Sequence, residues 1–247
     1  METLGRVLST LLKSLTQLIP RSVTDSIDSV VDFAYARLFG LPFIVLGYRQ
    51  TGKTTLLEWL RHDAAFLAEF SPDPTAAGGE PVPAFTTRLS ADGGALRLRP
   101  RRDVGGEYSM WDTDWAELFR QTKPRGIIFL IDHTNPAQHK DALNFVLQML
   151  DDEEAARKPL RMFTLLVNKK DLWGEDVTVE SILENYRNET RRLKSQAVRL
   201  GYRYTIRSTS LVTGEGVREA MIDFFDAIRP RSQQASQPRP AAEGIGA

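Results

Sequence analysis

Gly47-Tyr48-Arg49-Gln50-Thr51-Gly52-Lys53-Thr54 follows an apolar run, Leu41-Pro42-Phe43-Ile44-Val45-Leu46, and precedes a helical pattern carried by Leu56, Leu57, Trp59 and Leu60. Strand, glycine-bounded loop, Lys-Thr and helix in this order make a phosphate-binding loop in the context it requires. Gly47 and Gly52 let the backbone turn tightly and aim its N–H groups at phosphate oxygens. The helix N-terminus adds partial positive charge. Lys53 is placed to reach the outer phosphates, and the Thr54 hydroxyl to ligate magnesium. Arg49, Gln50, Thr51 and Thr55 lie within or directly after the loop and join its phosphate-binding surface.

A chain of 247 residues suits one domain of about 150–200 residues with extensions. A 42% hydrophobic fraction supports a real core. The formal charge is zero, so bulk electrostatics does not call for nucleic acid. With no cysteine, disulfides, thiol catalysis, zinc–thiolate sites and prenyl or palmitoyl attachment are excluded. That usage is compatible with the cytosol and favours a cytoplasmic protein. No apolar run reaches the roughly 18–20 residues that cross a bilayer. Glu2 stands where N-myristoylation needs glycine.

Residues 1–40 read as an amphipathic helical extension. Leu4, Val7, Leu8, Leu11, Leu12, Leu15, Leu18 and Ile19 form a stripe at helical spacing over residues 2–19. Pro20 ends it, and a second stripe runs from Ile27 to Leu38. The first stripe has two readings: packing on the domain or a partner, or peripheral contact in a membrane interface.

The expected domain covers 41–229, and the Arg, Ser, Gln, Pro and Ala-rich tail 230–247 is expected to be disordered. Within the domain, 53–69 reads as a helix and 71–84 as a Pro/Gly-rich mobile loop. Phe85–Ser90 and Ala95–Arg99 form a hairpin around Asp92-Gly93-Gly94. Asp103 ends that second strand. A helix with Trp111, Trp115, Leu118 and Phe119 follows. Gly126–Ile131 and Met162–Val167 are buried strands, 137–157 and 178–200 are helices, Tyr202–Arg207 is the last strand and 215–228 the last helix. Strands alternating with helices give an α/β fold with a mostly parallel six-stranded sheet, one antiparallel hairpin strand and helices on both faces. Ligands in such folds sit beyond the carboxyl ends of the strands. The phosphate loop, Asp103, Asn168–Asp171 and Ser208–Val212 all fall there.

Asp103 offers a carboxylate for magnesium, and Gly106 an N–H for the terminal phosphate. In Asn168-Lys169-Lys170-Asp171, the aspartate can accept both N–H groups of a guanine edge, a donor pair that adenine lacks. The stem of Lys169 can lie along the base. Trp111, Trp115 and Phe119 share one helix face, which suits either the core or a state-dependent partner surface. His62, His133 and His139 have no metal-ligand spacing.

The chain resembles a Ras-superfamily small GTPase, closest to the Arf branch. GYRQTGKTT, DVGGE, NKKD and Thr209-Ser210-Leu211 stand in that family's order and near its spacing, over roughly residues 41–228. The resemblance implies a P-loop nucleoside triphosphatase fold (small G domain), binding of GTP and GDP with magnesium, and GTP hydrolysis that switches surfaces at 71–90 and 103–120 for effectors or regulators. It implies Thr54 and Asp103 at magnesium. It puts Asn168, Lys169 and Asp171 at guanine, with Ser210 and Leu211 on the base-contacting loop and the Leu211 N–H on the guanine carbonyl. Lys53 and Gly106 would stabilise the reacting phosphate. The threonine that closes on magnesium is assigned to Thr86, with Thr87 second, although an ungapped alignment puts Ala84 there. Glu107 replaces the family's catalytic glutamine. An ionised carboxylate accepts from water but cannot donate, and it adds negative charge beside the phosphate, so turnover is expected to be slow. Arg49 stands where relatives keep a small residue. It would crowd an activating arginine, replace one, or face solvent. A GTP-binding scaffold without turnover is the main alternative. An ATP-dependent kinase is the other, and Asp171 argues against it.

Overall fold

The computed structural model describes residues 34–62 and 75–230. The stretch 2–19, residues 63–69 of the helix after the phosphate loop, and the tail beyond Pro230 lie outside the described residues. The chain divides into two units, and Arg37–Arg229 hold every strand and helix below. Of the other unit, only residues 34–36, which are helical, and Pro230 are described.

β1 (Leu41–Gly47), β6 (Gly126–Ile131) and β7 (Met162–Val167) are buried along their whole length. Their runs of Val, Ile, Leu and Phe fit strands covered on both faces. The six-stranded sheet has the order β3-β4-β1-β6-β7-β8, where β3 is Phe85–Thr87, β4 Leu96–Arg99 and β8 Arg203–Ser208. All neighbours are parallel except β3 and β4. One line of partners crosses the sheet: Gly47 beside Leu130, Leu130 beside Leu166, Leu166 beside Arg207. The strands therefore end level with one another, and the segments that follow them emerge at one edge.

Alternation on β1 sends Phe43 toward α7 (Val217–Ile228), where it meets Phe224 and Phe225 edge-on at 6.1 and 5.5 Å. Ile44 and Leu46 enter the cluster on the other face. There they join Trp115 and Phe119, Leu143 and Val146 of α3 (Pro136–Asp152), and Leu193 of α6 (Arg187–Leu200).

Several expectations change. Part of the expected 71–84 loop is a strand, β2 (Glu80–Val82), antiparallel to β5 (Arg101–Asp103). The β3–β4 register continues into β2–β5 and sets Pro83 opposite Pro100. Neither proline has an N–H, so the ladder breaks there and one long hairpin becomes two short ones. The helix described after the phosphate loop is α1 (Lys53–His62). Around Trp111 the chain makes a 3₁₀ turn (Tyr108–Met110) and a π turn (Trp111–Trp115) before α2 (Ala116–Thr122). The 137–157 helix breaks at Glu153 into α3 and α4 (Glu154–Arg157). The 178–200 helix breaks after Glu184 into α5 (Val179–Glu184), capped by Thr178 and Ser181 reciprocally, and α6. Gly201 caps α6 in the left-handed region, as expected.

Candidate functional site

Gly47 ends β1, and the loop turns through Gln50 at φ 59° before Leu56 N donates to Gly52 O at 2.9 Å and the helix begins. Gly52 (φ 100°) has no room for a side chain: a Cβ there would lie 2.7 Å from Asn168 Nδ2 and 2.8 Å from Leu211 Cδ1. The Thr51 hydroxyl donates to Tyr48 O at 2.8 Å, and Lys53 Nζ donates to the same carbonyl at 3.1 Å. Burial lowers the Lys53 pKa to about 8, against the opposing pull of Asp103. Thr55 follows in the first turn of α1.

Asp103, at the end of β5, accepts from the Thr54 hydroxyl at 2.6 Å on Oδ2. Burial raises its pKa, while Thr54 and Lys53 oppose that rise. Its Oδ1 is buried without a hydrogen-bond partner. Gly106 passes so close over the phosphate loop that a Cβ on it would lie 2.6 Å from Gly47 O.

On the other side, Asn168 follows β7 and is buried. Its Nδ2 donates to Thr51 O at 2.9 Å. Its Oδ1 accepts from Leu211 N at 3.2 Å and Thr209 Oγ1 at 3.4 Å. The Ser210 hydroxyl donates to Asp171 Oδ1 at 2.6 Å. Lys169, in the left-handed region at φ 63°, pairs through Nζ with Asp132 Oδ2 at 2.6 Å. The strand ends thus bring the phosphate loop, Asp103, Asn168–Asp171 and Ser210 together.

Residues 37–228 match the family model described as "Arf: ADP-ribosylation factor family". The chain belongs to the ADP-ribosylation factor family. This is a family of GTP-binding switch proteins and GTPases. No curated protein matches the chain.

Four sequence expectations meet a specific local geometry. Thr86 lies on β3 opposite Arg97, exposed, and Thr87 Oγ1 accepts from Leu89 N. A second threonine beside Asp103, after Thr54, is Thr75, whose hydroxyl donates to Oδ2 at 3.4 Å and stands 3.4 Å from Thr54 Oγ1. The Leu211 N–H, expected on a guanine carbonyl, donates to Asn168 Oδ1. Asn168 itself, expected on guanine, is engaged at both ends of its amide by protein and acts as a brace between two loops. Finally, of the two readings offered for Trp111 (3% exposed), Trp115 and Phe119 (0%), burial bears out the core.

The two indoles also have a polar task. Trp111 Nε1 donates to Gly106 O at 3.2 Å and Trp115 Nε1 to Gly105 O at 2.7 Å, fixing the glycines of the DVGGE segment from below. Arg49 and Glu107 are 60% and 54% exposed and face each other, Nη1 to Oε1, at 3.9 Å. In that geometry Arg49 meets Glu107, an option absent from the sequence reading.

Sequence reasoning gave no role to Thr75, Asp132 or His139. Asp132 directly follows the apolar run of β6, at the same strand-end level as the motifs, and that position was its signal. His139 is buried beside Asp132 and 3.3 Å from the Tyr186 hydroxyl, and burial lowers its pKa.

Proposed function

We propose that this Arf-family chain is a magnesium-dependent GTP/GDP switch that hydrolyses GTP slowly. The observation that carries the reading is Asn168, a buried side chain hydrogen-bonded at once to the phosphate loop and to the 209–211 loop. Asp171 accepts the paired N–H groups of guanine, with its carboxylate steadied by Ser210. Lys169 lays its stem along the base. Lys53 turns from Tyr48 O to the outer phosphates, and the loop from Gly47 through Thr55 supplies backbone donors. Gly106 offers its N–H to the terminal phosphate.

Thr54, Asp103 and Thr75 supply hard oxygen donors of the kind magnesium takes, and the partnerless Asp103 Oδ1 fits a cation. Bound there, magnesium would neutralise charge on the phosphate oxygens. Thr75 replaces Thr86 as the threonine that senses the triphosphate state. Glu107 accepts from the attacking water but cannot donate, and its charge opposes that of the phosphate.

Residues 71–90 and 103–120 change with nucleotide and meet effectors or regulators. In support, Gly78, Gly79, Pro81, Arg99, Arg101 and Arg102 line an open cleft of about 580 Å³. Residues 2–19 couple nucleotide state to a membrane or a partner, which makes the protein cytoplasmic with peripheral contact. No helix among the described residues is long and apolar enough to cross a membrane.

Timed single-turnover hydrolysis tests the enzyme reading. Wild type should release phosphate slowly, and Glu107→Gln should raise the rate by roughly three- to tenfold, the size expected of one gained hydrogen bond. A lower rate in the variant would contradict the role given to Glu107. No release from wild type, alone or with lysate, would make the chain a GTP-binding scaffold instead.

A further inference from the structure

Asp132 is 2% exposed, yet it carries a carboxylate. Such a group needs partners, and it has them. Thr134 donates to Oδ1 twice, from its N–H at 2.8 Å and from its hydroxyl at 2.6 Å. Those bonds close the turn after β6 and leave Oδ2 to Lys169 Nζ at 2.6 Å. His139 lies on the remaining side, with Nε2 3.9 Å from Oδ1. Asp132 is thus held by its own loop, and it holds the lysine of a different one.

The backbone gives this contact a purpose. Lys169 sits at φ 63°, a region unfavourable for a residue with a Cβ. A flexible four-carbon stem on such a backbone would sample many rotamers, and ordering it on ligand binding would weaken that binding. The ion pair fixes the head of the stem before any ligand arrives. Tyr48, Arg49, Gln50, Asp132 and Lys169 line one small cleft, so the fixed lysine and the phosphate loop face the same space.

We infer that Asp132 is a positioning residue for nucleotide retention, acting through Lys169: its carboxylate pre-orders the lysine stem that the base lies along. The inference rests on the reading of Lys169 as a base-contacting residue. It predicts that the two residues act as one unit, so that losing the second after the first costs little.

The test is a double-mutant cycle on the dissociation rate of fluorescent GDP from the full chain with magnesium. Lys169→Met keeps the apolar stem and removes only the ammonium. Asp132→Asn keeps the shape and removes the charge. Each single variant should release GDP about tenfold faster or more, as expected for a lost charged hydrogen bond. Asp132→Asn added to Lys169→Met should change the rate less than about twofold.

Equal acceleration by Asp132→Asn in both backgrounds would overturn the inference, because a general structural role would not depend on Lys169. Unchanged release in Asp132→Asn, with faster release in Lys169→Met, would also overturn it but keep the reading of Lys169. Unchanged release in Lys169→Met would refute that reading, and the inference with it. Should Asp132→Asn fail to fold, Thr134→Val removes a donor to the same carboxylate. It should speed release about two- to fivefold in the wild-type background only, and equal acceleration or none in the two backgrounds would overturn the inference.

Discussion

On the side of the site proposed to hold the base, Ser210 reaches Asp171 at 2.6 Å, Lys169 reaches Asp132 at 2.6 Å, and Asn168 is bonded at both ends. On the phosphate side, Thr75 stands 3.4 Å from Asp103, Asp103 Oδ1 has no partner, and Arg49 and Glu107 face each other in solvent at 3.9 Å. The same sheet edge carries both halves, so the difference is not one of scaffold. The base half spends its polar groups on one another and is pre-ordered. The phosphate half holds charged groups whose environment does not suit their charge: burial lowers the pKa of Lys53 and raises that of Asp103. A base is the same in both nucleotide states and needs one fixed recognition surface. The phosphates differ between states, and a switch must keep its free energy uncommitted there.

The largest effect that would sharpen this contrast is a pH dependence. Lys53 has a pKa of about 8 in the free protein, below its ordinary value, and bound phosphates would hold it charged. Binding therefore takes up a proton above pH 8 and none well below it. Nucleotide affinity should fall by up to about tenfold per pH unit between pH 8 and 9. Kd measured in buffers of different ionisation heat checks both the slope and the proton. A flat profile would break the comparison.

A smaller effect separates two threonines. Thr75→Ala should weaken magnesium-dependent GTP binding by about five- to tenfold and GDP binding less, while Thr86→Ala changes either by under about twofold. Direct titration with both nucleotides decides between them, and the opposite pattern would restore Thr86. The smallest effect is Trp111→Phe. It keeps most of the packing and removes the N–H that holds Gly106 O. Melting should show a loss of about 0.5–1.5 kcal/mol. A loss several times larger would mean that packing, not the hydrogen bond, fixes the DVGGE segment.

The fold was legible because its strongest signals are local. The buried runs of β1, β6 and β7 read as strands directly, and the motifs fall at their ends. Strand β2 was not legible: Glu80-Pro81-Val82 has no periodicity, and pairing with β5 creates it. Thr75 was hidden for a related reason. Loop length is free to vary, so counting back from Asp103 cannot locate a contact that closes in space. For Asn168 and Leu211 the motif stated which side chains gather and not how they pair: the Leu211 N–H donates to Asn168, which also reaches Thr51 O. For Trp111 and Trp115, spacing gave the shared face but not which way it points; the cluster against Phe129 and Phe145 decides that.

Guanine recognition by a pre-ordered base half is the centre of this account. Its most direct test is the affinity of the purified chain for GTP and for ATP in magnesium buffer, with Asp171→Asn alongside. GTP should bind wild type at least about a thousandfold more tightly than ATP, because adenine would leave the Asp171 carboxylate unpaired, and Asp171→Asn should remove most of that preference. Comparable affinities for GTP and ATP in wild type would contradict it.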